Sequence, residues 1–539
     1  MVRISLHGRR VGGWVVATDV DPPVGVRLLP LAKRSGLGPS AELIDLAGWA
    51  AWRWSGRRAT FLRTAAPPTV VAGLPSAPDD RPPASAVVDP IVVEAFDRAV
   101  SVLRLPPSTD PVSIALAACS RGQALILAPA QTTARRVGLA LRRAGVPVGL
   151  FPRDWARLAA GASIVGSRAA AWAPAPHLAA VVVLDEHDEG YREERSPTWN
   201  ARDVAVERAR RAGVPCLLVS PTPSLEAVTL AEPVAPARNA ERAGWPLVDV
   251  IDRRRDDPFR GGLWSERITP MLRESDRAVC ILNRTGRSRL LACDRCGEVT
   301  RCEVCDAAVN QAETDRLRCG RCLTERPVIC QGCGASRLRN IRAGVTRARE
   351  ELEALVGETV TEVTATSEGD PDATRVTIGT EAALHRVDRA SLVVFLDIDQ
   401  ELLAPRYRAG EQAFSLIARA ARMVGPRSEG GRIALQTRTP RHDVLQAALT
   451  ADPGRFASAE MQRRDVLGMP PTSALAQISG EAAEAFVAAL GSPLGVEVLG
   501  PSDGRYLLRA SEHRVLCDAL AQVSRPAGRL RIEVDPDRV

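Results

Sequence analysis

Lysine is almost missing from this chain: Lys33 is the only one among 71 basic residues, so nearly all the positive charge is arginine. No lysine after residue 33 is available to grip the phosphates of a nucleotide. Glycine is absent from Leu74 through Arg121, which excludes a glycine-rich phosphate loop from that stretch. No run approaches 18 consecutive apolar residues, and the opening "MVRISLHGRRVGGW" lacks the charged-then-apolar pattern of a secretion signal. The expectation is a cytoplasmic protein with no membrane partner.

With 539 residues, 45% of them hydrophobic, the chain has material for three or more domains. A net charge of +7 favours a polyanionic partner, because clustered cations gain by releasing counterions from nucleic acid. A basic-surfaced soluble enzyme has the same balance, so charge alone does not decide.

Eight of the twelve cysteines fall in "CDRCGEVTRCEVCDAAVNQAETDRLRCGRCLTERPVICQGCG" as four Cys-x-x-Cys knuckles: Cys293 and Cys296, Cys302 and Cys305, Cys319 and Cys322, Cys330 and Cys333. A two-residue gap lets both thiolates of a knuckle reach one tetrahedral Zn²⁺, and disulfides do not persist in a reducing compartment. Eight thiolates imply two structural zinc ions, each closed by four sulfurs, with no open position for a substrate. Of the three pairings, the nested one is preferred. Cys302, Cys305, Cys319 and Cys322 then form an inner site whose 13-residue gap suits a hairpin, and Cys293, Cys296, Cys330 and Cys333 an outer site; sequential pairing leaves gaps of only five and seven residues. Cys119, Cys216, Cys280 and Cys517 sit among apolar neighbours and read as core.

Apolar runs "ALILAPA", "SIVGS", "AAVVVLDE" and "PCLLVSPTPS" alternate with helical patterns, and so do "RAVCILNRTGR", "RVTIGT", "ASLVVFLDID" and "GRIALQTRTP". Alternation of this kind predicts parallel sheets covered on both faces. The expected organisation is a β-rich N-terminal domain (1–65), a Pro-rich linker with one amphipathic helix "IVVEAFDRAVSVL" (66–105), a first α/β lobe (106–235), a second lobe carrying the cysteine insertion 293–333 (236–440), and a C-terminal α+β domain (441–539).

Several stretches in order resemble the primosomal protein N-prime family, the superfamily 2 helicases of bacterial replication restart. "GRRVGGWVV" resembles the family's N-terminal DNA-binding domain, and "LILAPAQT" its "LVPE" strand. "VVVLDEHDEGYREERSPTWNARDVAVERA" is similar to its acidic "DEEHD" motif and following ARD stretch. "LVSPTPSLEA", "CILNRTGRSRLLACDRCG", "VTIGTEAALH" and "IALQTRTPRH" fall at later family motifs. The resemblance implies two RecA-like helicase lobes with a double Cys₄ zinc insertion in the second, and nested zinc sites. As partners it implies forked or single-stranded DNA, other primosome proteins, a helicase loader or replicative helicase, and single-stranded DNA-binding protein.

The motor motifs depart from the family. At the phosphate loop the chain reads "LRLPPSTDPVSIALAACSR". Aligned on Glu-His-Asp, the acidic motif puts Leu184 at the magnesium-associated aspartate and Asp185 at the catalytic glutamate; a one-residue slip instead leaves Asp185 and Glu186 as the pair. "RAARMVGP" stands at the last helicase motif, with Met423 and Pro426 in place of two arginines and Arg422 beside them. ATP is therefore not expected as a cofactor. Asp185, Glu186 and His187 are expected to be a degenerate motif, with His187 in a structural hydrogen bond and Ala201 to Asp203 pinning a helix. The alternative is an active ATP-dependent 3′–5′ helicase.

Aligned on "GRRVGGWVV", the chain begins inside the family's N-terminal domain, which is expected to be truncated. Arg9, Arg10 and Arg27 are candidates for phosphate contacts and Trp54 for stacking on unpaired bases, whereas Trp49 and Trp52 have the spacing of core residues.

Overall fold

The computed structural model describes residues 1–21, 25, 30–78, 89–254, 256, 263–283, 291–311, 315–340 and 345–538. Strands such as Leu178–Leu184 are apolar on both faces, which only the interior of a doubly covered sheet satisfies. Seven parallel strands form the first lobe, in the order Pro233–Val234, Val100–Arg104, Cys216–Ser220, Leu178–Leu184, Gln123–Leu127, Ser163–Gly166 and Val148–Leu150. The period-2 alternation divides Leu178–Leu184 between two cores. Ala180, Val182 and Leu184 pack with the helices Pro111–Cys119 and Gln131–Arg143. Val181 and Val183 pack with the helix Ala201–Ala212 and with Trp172. Each fully buried valine contributes about 1.5–3 kcal/mol.

The helix expected over "IVVEAFDRAVSVL" is corrected. Asp89 caps a short helix, Pro90–Ala95, by accepting from Ile91 N at 3.0 Å. The chain then turns, and Ser101 Oγ donates to Ala95 O at 2.7 Å. Val100–Arg104 becomes a strand between two others, with Val102 and Leu103 fully buried on opposite faces. A slot in a buried sheet suits β-branched residues better than a helix does.

Six parallel strands make the second lobe, ordered Leu247–Asp252, Arg432–Thr437, Leu392–Phe395, Ala278–Ile281, Val376–Gly379 and Thr361–Val363. Two small antiparallel sheets carrying the cysteines interrupt it between Ala278–Ile281 and Val376–Gly379. Two parallel-sheet lobes with a cysteine-rich insertion in the second bear out the expected fold class.

The smaller end units lie on this pair. Val2–Leu6 is sandwiched between Arg9–Gly13 and Lys33–Arg34 in an antiparallel sheet. The helices Ala41–Arg53 and Arg58–Ala65 that follow share one core with the first lobe and the four-stranded C-terminal sheet. Within that core Trp49, Trp54, Phe61, Trp172 and Trp199 run as a chain of ring contacts with centroids 5.3–6.4 Å apart. Trp52 Nε1 donates to Asp518 at 2.9 Å and Arg53 pairs with Asp535 at 2.8 Å, tying the N-terminal helices to the C-terminal unit. Among the described residues, no helix is long and apolar enough to cross a membrane.

Candidate functional site

A cleft of about 1200 Å³ opens between the lobes, lined by Pro129, Asp185, His187, Asp188, Arg419 and Arg422 among others. The acidic strand end builds its first wall. Asp185 leaves the strand with φ +51°, a left-handed conformation that aspartate tolerates better than most residues. Asp188 N closes the turn on Asp185 O at 2.9 Å, while Glu186 N continues the sheet to Val219 O at 3.0 Å. Neighbouring carboxylates therefore point apart, Asp185 toward the second lobe and Glu186 into the first.

Helix Ala409–Val424 is the opposite wall, and Arg419 and Arg422 lie three residues apart on it, so they share a face. Arg422 Nη1 and Nη2 donate to the two oxygens of Asp185 at 2.5 and 2.7 Å, and Arg422 Nε donates to Pro107 O at 3.2 Å. Arg419 pairs with Asp188 and touches His385. Burial alone would push the Asp185 carboxyl up, but the Arg422 guanidinium, with help from His187 and Arg419, holds it below its ordinary value. Burial pushes the His187 imidazole down against the pull of the surrounding carboxylates, and its Nδ1 shares a 2.7 Å hydrogen bond with Ser220 Oγ.

Glu186 is 1% exposed and accepts from Ser224 N at 2.7 Å, from Ser224 Oγ at 2.8 Å and from Arg202 at 3.4 Å. Asn200 caps helix Ala201–Ala212 by accepting from Arg202 N at 2.9 Å, and Arg202 also pairs with Asp203. The ARD stretch thus pins strand end, helix start and the Ser224 turn together.

The segment between Val100–Arg104 and Pro111–Cys119 occupies the strand-to-helix position of a phosphate loop. Pro106, Pro107 and Pro111 have no N–H, and the amides of Leu105 and Thr109 already donate to Ser220 O and Pro106 O. Asp110 caps the helix, accepting from Val112 N at 3.0 Å, so a carboxylate sits where a helix N-terminus would attract phosphate. These residues fit a nucleotide poorly: three positions have no N–H, the amides of Leu105, Thr109 and Val112 are already bonded, and Asp110 places a carboxylate at the helix start.

A second ion network joins the lobes farther along the same helix. Arg408 pairs with Glu226, Leu225 N donates to Glu411 at 3.2 Å, and Arg464 donates to Glu411 at 2.5 Å and to Tyr407 O at 2.9 Å. Met423, expected in place of an arginine, is buried in the second-lobe core, and Pro426 follows the end of the helix. The residues that sequence reasoning missed are Arg419, Arg408 and Glu226. The 419/422 spacing in "RAARMVGP" was the available signal for the first.

The eight knuckle cysteines gather into two groups, Cys293, Cys296, Cys330 and Cys333, and Cys302, Cys305, Cys319 and Cys322, each able to hold a metal ion. Sγ–Sγ distances are 3.5 Å for Cys293–Cys333 and Cys296–Cys330, and 3.4 Å for Cys302–Cys322 and Cys305–Cys319. That is far beyond a disulfide, at about 2.05 Å, and near the ~3.8 Å edge of a tetrahedron of sulfurs about 2.3 Å from a zinc ion. Amides of Arg295 and Arg321 donate to Cys293 Sγ and Cys319 Sγ at 3.4 and 3.3 Å, which favours thiolates. The donor set therefore fits the ion. Arg321 anchors the inner group to the second lobe through Cys305 O and Ala404 O.

Arg9 and Arg10 are exposed on the outer strand of the N-terminal sheet. Arg27 lies outside the described residues. Trp54 is corrected: at 2% exposure, edge-on to Trp49, it is a core residue and cannot stack on a base. A tryptophan at the end of a helix near arginines looks identical in sequence whether it faces solvent or a neighbouring domain.

No family model matches the chain. Curated relatives include the replication restart protein PriA of Bacillus subtilis (strain 168), 28% identical over 66% of this chain and 49% of the relative. That of Haemophilus influenzae is 26% identical over 68% and 55%. Among solved structures, S. cerevisiae Dbp5 bound to RNA and ADP BeF3 aligns with a TM-score of 0.36 at 12% identity, covering 71% of this chain and 98% of that one. By sequence the chain is a relative of the bacterial replication restart proteins named PriA, and it spans about half of their length.

Proposed function

We propose that this chain is a helicase-derived assembly factor of DNA replication restart, which binds forked or single-stranded DNA and recruits the machinery that reloads the replicative helicase, without hydrolysing ATP. The observation that carries the reading is the Arg422–Asp185 pair lying over a loop of Pro106, Pro107 and Asp110. Phosphoryl transfer depends on donors and cations placed around the transferred group. Here three positions of the loop are prolines with no N–H, Asp110 caps the helix start, and the arginines nearest the acidic strand end already hold its carboxylates. The restart half of the reading is supported by the relatives, which are replication restart proteins.

Zinc in the two Cys₄ groups would crosslink the insertion and supply no catalysis, since four thiolates complete its coordination. Its surface is assigned to protein partners, which include a helicase loader or replicative helicase, other primosome proteins and single-stranded DNA-binding protein. Arg9 and Arg10 are assigned to DNA phosphates, where salt-dependent affinity follows from counterion release.

Fluorescence anisotropy on forked, single-stranded and duplex DNA at several salt concentrations, run beside an ATPase assay with forked DNA, tests the proposal. Preference for forks with no hydrolysis supports it. DNA-stimulated hydrolysis abolished by Asp185→Ala would establish an active helicase instead, and indifference to DNA structure would remove the restart role.

A further inference from the structure

Helix Ala409–Val424 and the residue before it send three arginines across the cleft, and each meets a carboxylate of the first lobe: Arg408 with Glu226, Arg419 with Asp188, and Arg422 with Asp185. A fourth link runs the other way, from Leu225 N in the first lobe to Glu411 at 3.2 Å. From residue 408 to 422 the helix rises ~20 Å at 1.5 Å per residue. One ion pair would leave a pivot, but attachments at both ends of such a length resist both opening and twisting. Arg422 adds a hydrogen bond to Pro107 O, so its guanidinium engages the strand end and the proline loop together.

We infer that these pairs form a permanent joint between the lobes, in which three arginines of the chain itself fix a closed arrangement that does not change with nucleotide. A ligand shifts a two-state equilibrium only through its differential affinity for the two states. In this cleft the anion partners of the arginines are covalently part of the protein and always present. The surfaces of both lobes are thereby held in one relative placement, so whatever binds across them meets a preformed site. The inference goes beyond the absence of nucleotide chemistry argued above: it concerns lobe geometry, is carried by the interlobe pairs themselves and is read by a different measurement.

Energy transfer between fluorescent noncanonical residues at the exposed positions Leu139 in the first lobe and Glu368 in the second reports the arrangement. The full-length protein gives a single narrow distance distribution, the same with and without Mg-ATP or Mg-ADP. Substituting Arg408, Arg419 and Arg422 together by aspartate abolishes the narrow peak and moves the distribution to longer distances, with circular dichroism and metal content as folding controls. Arg422→Asp alone broadens it, and the swap Asp185→Arg with Arg422→Asp narrows it again. A folded triple variant that keeps the wild-type distribution overturns the joint. If the triple variant does not fold, a swap no narrower than Arg422→Asp alone overturns it equally, and so does a shift of the wild-type peak on adding Mg-ATP. Nucleotide binding seen by calorimetry with no change in distance would remove the ATP-free reading and leave the joint standing.

Discussion

Glu186 and Ser224 are joined twice, by the Ser224 N–H at 2.7 Å and its hydroxyl at 2.8 Å, and the same carboxylate faces the Arg202 guanidinium. A residue of an acidic motif is here a buried structural tie. Glu186→Ala removes the acceptor for a buried amide and one partner of a buried arginine that keeps Asp203 and Glu226. It is expected to cost about 3 kcal/mol in urea unfolding, the low end for breaking a buried ion pair. Glu186→Gln, which keeps one carbonyl oxygen, costs less. Equal stability of the alanine variant and the wild type would refute the assignment.

His442 carries a pH dependence of defined sign. Its Nδ1 caps helix Asp443–Thr450, accepting from Val444 N at 3.3 Å, and burial, with Arg463 nearby, pushes the imidazole down to about 4. Below about pH 6.5 the unfolded chain binds a proton that the folded chain refuses, so stability falls as pH drops from there toward 4, by at most ~3 kcal/mol. His442→Asn preserves the cap acceptor and removes the titration. Denaturant midpoints measured from pH 8 to pH 4 should therefore decline less steeply in the variant. Parallel profiles would show that His442 does not titrate as described.

Sheet interiors were legible because their residues obey one strong rule. "AAVVV", "ALIL", "LLVS" and "LVVF" have nowhere to go but a doubly covered sheet, and each is such a strand. The four cysteine knuckles were legible from spacing, which preferred the nested grouping that the family resemblance also implies and that the structure shows. By contrast, "VSVLR" gave a helical pattern when read with the preceding "IVVEA", and only its vacant place between Cys216–Ser220 and Pro233–Val234 makes it a strand. The interlobe pairs were illegible for a related reason. Arg422 and Asp185 are 237 residues apart, and a chain with so many arginines offers no local sign of which one meets which acid.

Trp54→Ala separates packing from recognition. Removing a buried indole from the Trp49–Trp54–Phe61 contacts is expected to cost about 3–5 kcal/mol. DNA affinity of the folded fraction, measured well below the melting temperature, is expected to stay at the wild-type value. A selective loss of single-stranded DNA binding with unchanged stability would return Trp54 to a stacking role.

Metal content gives an independent check on the cysteine groups. Elemental analysis of purified protein should find two zinc ions per chain, one for each group. Cys305→Ser, in the inner group, should leave one. Chelation should raise hydrogen exchange over the described residues of 291–340 while the central strands of the lobes stay protected, because the inner cysteines have a cluster of their own and only Val299 and Ala308 of the insertion enter a lobe core. Retention of both ions in Cys305→Ser would contradict the four-sulfur assignment.

Arg9 and Arg10 adjoin on the outer strand, opposite Leu6 and Ser5, with their side chains on opposite faces of the sheet. That geometry makes a prediction sharper than loss of binding. A duplex or single strand lying on one face can reach only one of the two, so the single alanine variants should differ. The variant that removes the contacting arginine should lower affinity for forked and single-stranded DNA alike and reduce the slope of log K against log[salt] by roughly 0.7–0.9, the contribution of one phosphate. The other should leave the slope unchanged. Equal losses from both would mean that DNA wraps the edge of the sheet, and no change in either slope would move the DNA contact away from this strand.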